Sequence, residues 1–86
     1  MDHRVIREAL TTQPFQPFRL RMNDGRSFDT FHPDWLLVGP NGRYVIHNDQ
    51  LNDGKITTLE PLLIASLEHI PPLPPPQAPN NGQARS

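Results

Sequence analysis

Six of the eleven prolines fall after His69, in Pro71-Pro72-Leu73-Pro74-Pro75-Pro76 and at Pro79. Proline has no backbone N–H and a fixed φ, so this stretch cannot enter a helix interior or a central strand. It predicts polyproline II followed by coil. Residues 1–70 are therefore expected to fold as a single small domain, and residues 71–86 to form a disordered proline-rich tail. Pro72-Leu73-Pro74-Pro75 lacks the flanking Arg or Lys that orients SH3 ligands, so the tail reads as a solvated spacer.

A domain of this length buries only about 60% of its unfolded surface, which excludes a deep cleft between two lobes. The absence of cysteine excludes disulfides, thiolate metal sites and a Cys nucleophile, and it suits a reducing cytoplasm. Eight basic against nine acidic residues leave a net charge of -1, with no overall pull toward phosphate backbones or anionic membranes. Met1-Asp2-His3-Arg4-Val5-Ile6 has no apolar signal core, and no stretch approaches the roughly 20 apolar residues of a membrane span. The expectation is a soluble, cytoplasmic protein that does not enter a membrane.

Within residues 1–70, Val5, Ile6, Ala9 and Leu10 make one apolar stripe on a helix from Asp2 to Thr11. Phe18, Leu20 and Met22 alternate with Arg19 and Arg21, the period of a strand with one wet face. Asp24-Gly25 predicts a tight primed turn, returning through Arg26 to Phe31 with Phe28 and Thr30 on one face. His32-Pro33-Asp34 interrupts pairing. Trp35 to Val38 and Tyr44 to His47 then read as a hairpin around Gly39-Pro40-Asn41-Gly42, and Lys55 to Leu59 as a β-branched strand. From Leu59 to Ile70, a helical stripe and a strand alternation both fit. The preferred reading is a 3₁₀ turn at Pro61 followed by a strand from Ile64 to His69.

A helix followed by short strands in meander order predicts a mainly β fold: a small, strongly bent, five-stranded antiparallel sheet or open barrel of SH3 or Sm-like type. Phe18 to Phe28, Trp35 to Gly39 and Ile56 to Pro71 follow a course that resembles the bacterial Sm-like family. That resemblance implies an N-terminal helix on a twisted five-stranded sheet, ring-forming self-association through the outer strands, and RNA binding. The Lys-His pair that such RNA chaperones carry before the last strand has no counterpart at Pro61-Leu62. Pro14-Phe15-Gln16-Pro17-Phe18, Asp24-Gly25-Arg26, His32-Pro33 and Leu62 to Glu68 also resemble a group of small bacterial proteins of unassigned function.

Arg19, Arg21 and Arg26, extended by Arg4 and Arg7, are candidates for a local basic patch gripping single-stranded RNA, with Tyr44 or Trp35 as a stacking platform. Set against this, the same arginines are solubilising residues paired with Asp24, Asp29 or Glu8. His32 and Asp34, with His47 or Asp29, match no metal-binding signature, and a turn in which Asp34 caps the helical segment holding Trp35 is the simpler reading. Asp49 and Asp53 lack the ligand alternation of a calcium loop. His47 beside Asp49 reads as a surface histidine rather than a catalytic dyad. No nucleophile elbow, phosphate loop or paired carboxylates are present, so neither an enzyme nor a cofactor or metal site is expected. The sequence thus points to a non-catalytic interaction module that self-associates and binds protein through Phe31, Trp35 and Leu37. The alternative is an Sm-like nucleic-acid binder using Arg19, Arg21, Arg26 and Tyr44.

Overall fold

The computed structural model describes residues 1–74. It contains one helix, α1 (His3–Thr11), and six strands: β1 (Phe18–Met22), β2 (Ser27–Thr30), β3 (Leu36–Val38), β4 (Val45–Asp49), β5 (Lys55–Leu59) and β6 (Ile64–His69). Single 3₁₀ turns lie at Pro33–Trp35, Pro40–Gly42, Gln50–Asn52 and Pro61–Leu63. Pro71 to Pro74 carry no regular structure, and the remainder of the predicted tail lies outside the described residues.

The chain is a small mixed α/β protein whose strands form two three-stranded sheets, β2-β1-β6 and β3-β4-β5. This corrects the expected single five-stranded sheet. Pro33 has no N–H to give a ladder, and Trp35 N–H turns back to His32 O at 3.1 Å, so the path after Thr30 leaves the first sheet before it enters the second. The expected 3₁₀ turn at Pro61 and strand from Ile64 to His69 are present, and this strand is the sixth and returns to pair with β1. No closed barrel is formed among the described residues.

At the start of α1, Asp2 is the N-cap: its Oδ1 accepts from Arg4 N–H at 2.9 Å, and the Arg4 side chain clamps the same carboxylate at 2.8 Å. The Arg4 side chain first, and then the Arg4 backbone N–H, lower the Asp2 pKa from 3.8 to about 2. A carboxylate with a depressed folded-state pKa stabilises above its unfolded value and loses that effect as pH falls toward the folded one. Helical ellipticity should therefore decay between pH 4 and pH 2 in the wild type. Asp2→Asn, which caps without titrating, should flatten that part of the acid titration.

The first hairpin turn differs from the primed form expected at Asp24-Gly25. Gly25 N–H donates to Met22 O at 3.0 Å, Met22 N–H to Arg26 O at 2.8 Å, and of these loop residues Gly25 alone has a positive φ, at 95°. This is a three-residue loop ending in a left-handed glycine, and it spares Asp24 a strained backbone. Asp24 instead accepts from Arg26 N–H at 3.0 Å and from Arg26 Nε at 2.8 Å.

Between the sheets Ile6, Phe18, Leu20, Met22, Leu36, Val45, Leu59 and Ile64 form one buried cluster. Alternation supplies these residues in β1, where Arg19 and Arg21 face outward. In β6 it does not, because the ladder slips between Arg21 and Met22: Met22 pairs with Ile64 and Arg21 with Ser66, leaving Ala65 as a bulge. Near the β5–β6 turn, the α-amino group of Met1 donates to Pro61 O at 2.9 Å and to Ile64 O at 3.2 Å. Among the described residues, no helix is long and apolar enough to cross a membrane.

Candidate functional site

The two sheets present outer faces of opposite character. On β2-β1-β6, Arg19 lies in register between Asp29 and Glu68. Its guanidinium reaches Asp29 with Nε at 2.7 Å and Nη2 at 3.1 Å, and Arg21 Nη2 reaches Glu68 Oε1 at 2.9 Å. The Asp29 carboxylate raises the Arg19 pKa further above its ordinary value. Arg26 belongs to the turn, paired with Asp24 and set 5.7 Å over the Phe28 ring, and Arg4 is held by Asp2. Of the candidate patch, Arg4, Arg19, Arg21 and Arg26 each meet a carboxylate, while Arg7 on α1 makes no ion pair among the described residues; exposed pairs of this kind leave little net field for a phosphate backbone.

The other outer face is apolar. Cross-strand register sets Leu37, Ile46 and Thr58 in one outward row, with Asn48 and Ile56 in the next. Leu37 and Ile56 are 57% and 59% exposed. Such a face would ordinarily be covered or polar in an antiparallel sheet with one wet side. The residues facing the other way, Leu36, Val45, His47 and Leu59, are buried.

Of the expected interface residues, Leu37 lies on this face. Trp35 does not: it is 7% exposed, edge-on to Phe31 at 5.8 Å and against His32 at 5.4 Å, because the 3₁₀ turn folds the ring back onto its own loop. Phe31 is half-buried in the same cluster. Asp34 sits inside that turn rather than capping it, since the preceding residue is His32 and no side chain caps. Tyr44 immediately precedes β4, in the other sheet from Arg19 and Arg21. Its ring covers Gly39, where a Cβ would come within 2.5 Å of it.

A cleft of about 560 Å³ lies between β2 and the β4–β5 hairpin, lined by Arg26, Phe28, His47, Asp49, Lys55 and Thr57 among others. The sequence reading of His47 as a surface residue is corrected here. It is 2% exposed, edge-on to Phe28 at 5.4 Å, with Nε2 2.8 Å from Asp29 O. A carbonyl oxygen accepts only, so Nε2 carries the proton. The bond joins β4 of one sheet to β2 of the other. Asp49, on the same face of β4, accepts instead from Leu51 N–H at 3.1 Å. Among the described residues no group of three His, Asp or Glu is placed to hold a metal ion.

Sequence reasoning missed Ile46, Ile56, Lys55 and Glu60 as surface features. The signal for Ile46 was local: Val45-Ile46 is an unbroken apolar pair, so one of the two must face away from the core. No protein-family model, no curated protein and no solved structure matches this chain.

Proposed function

We propose that the chain is a non-catalytic association module that presents the outer face and edge of its β3-β4-β5 sheet to a second copy of itself. The carrying observation is the contrast between the two outer faces, one closed off by ion pairs and the other exposing Leu37 and Ile56 beside Ile46. We further read the two sheets as halves of one open barrel of SH3- or Sm-like order. Supporting that reading are the strand order, the 3₁₀ turn before β6 and the His47–Asp29 bond between the sheets. The pairing of Arg19, Arg21 and Arg26 favours association over nucleic-acid binding.

Light scattering across a concentration series tests the proposal. Wild type should show an oligomeric mass, Ile56→Lys on β5 should lower it with unchanged circular dichroism, and single-stranded RNA at low salt should add nothing. A wild type that stays monomeric defeats the reading. Mass that grows with RNA and returns in salt transfers it to the nucleic-acid alternative.

A further inference from the structure

Four strand edges bound the two sheets, and three of them are short or carry a feature that blunts an edge. On β2, Asp29 O accepts from His47; β6 carries the bulge at Ala65, the Met1 amine on Ile64 O and Glu68-His69 at its end; and β3 is only three residues long. On β5, among the described residues, no hydrogen bond other than those of the β4 ladder reaches Lys55 to Leu59. The strand also lacks the usual devices that blunt an edge. It has no proline, no bulge, three consecutive β-branched residues at Ile56, Thr57 and Thr58, and one charge, at its first position.

Lys55 begins this strand and Glu60 follows it, and among the described residues neither has an oppositely charged group within 4 Å. Asp49, opposite Lys55 on β4, accepts from Leu51 N–H, and Glu68 on β6 is held by Arg21 at 2.9 Å and Arg19 at 3.8 Å. Lys55 and Glu60 thus sit at opposite ends of the same edge, with Asp53 in the turn before Lys55. Antiparallel pairing of that edge with itself brings unlike ends together, and parallel pairing brings like ends together.

We infer that two copies pair through β5, antiparallel about a two-fold axis at Thr57. This rests on the association reading above and specifies its partner and geometry. In that register Lys55 lies opposite Leu59 of the partner subunit and beside Glu60 of the partner subunit, and the contact occurs twice. Directly opposite residues share a face, so Ile56 meets Thr58 of the partner subunit and the outward row Leu37-Ile46-Thr58 runs on into the second copy. The product is one six-stranded sheet with a continuous outer face, and the isologous contact closes at the dimer.

The chain has no cysteine, so a single introduced thiol reports one position. Directly opposite Cα atoms in an antiparallel pair lie about 4.5–5.5 Å apart, inside the span of about 4.4–6.8 Å that a disulfide bridges. Thr57→Cys should give a disulfide-linked dimer under mild oxidant, at least about tenfold faster than Ala65→Cys on β6. Lys55→Glu should weaken the dimer about tenfold, and Lys55→Glu with Glu60→Lys should restore it, since the swap changes only which copy supplies which charge. Faster linkage through Ile56→Cys or Thr58→Cys overturns the register. An oligomer in which Ala65→Cys links fastest, or in which the charge swap fails to rescue, overturns the β5 edge and leaves the association reading standing. A monomeric wild type overturns both.

Discussion

Phe18→Ala should leave the protein largely unfolded at 37 °C. Phe18 has no solvent exposure, its ring lies 6.0 Å from that of Phe15, and its strand is the central one of its sheet, pairing with Thr30 on one side and His69 on the other. Truncating a buried phenylalanine costs about 3–5 kcal/mol, because the transfer energy is lost and the cavity closes only in part. At about 0.05–0.15 kcal/mol per residue, a folded part of about 70 residues has only about 3.5–10 kcal/mol of stability in total. Urea denaturation at fixed protein concentration measures the loss directly. A change below about 1 kcal/mol would show that the cluster around Phe18 does not hold the sheets together.

His47 carries the second large effect, and two variants separate its parts. His47→Leu keeps most of the volume but removes the donor to Asp29 O, leaving a carbonyl at the junction of the sheets unpaired, which should cost about 1–3 kcal/mol. His47→Ala also empties the volume packed against Phe28 and should cost more, about 2–4 kcal/mol. If both variants unfold at the same urea concentration, the volume filled against Phe28 contributes nothing. Wild-type stability in His47→Leu would mean that the cross-sheet hydrogen bond is not needed to dock β4 on β2.

How much of this was legible in the sequence depended on whether a pattern had one interpretation. Helix α1, strand β1 and strand β5 each carried a single periodicity, and the structure places them within a residue of where the pattern does. Strand β6 was ambiguous for a reason the ladder makes plain. The bulge at Ala65 shifts the phase, so the residues opposite Met22 and Leu20 are Ile64 and Leu67. Their spacing of three is that of a helix face, and strict alternation through Leu63, Ala65 and Leu67 could not have found it. The apolar outer face was hidden because runs such as Leu36-Leu37-Val38 do not say which side is inward until the pairing to β4 is known. Trp35 was assigned to an interface on composition, whereas a three-residue turn sets its direction. The closeness of Asp29 to His47, 18 residues apart, has no local signature.

The pairing of β1 with β6 also sets the order in which the molecule can be built. Residues 18–22 wait for residues 64–69, while β3, β4 and β5 are neighbours along the chain and need no distant segment. During synthesis from the N-terminus, at about 5–20 residues per second, the ten residues between Leu59 and His69 take about 0.5–2 s to emerge. Through that interval the local meander can already be complete, with its β5 edge open, while β1 has a neighbour on one side only. A nascent chain therefore exposes its β5 edge before its own core is closed, and translation of one message by several ribosomes places several such edges near one another.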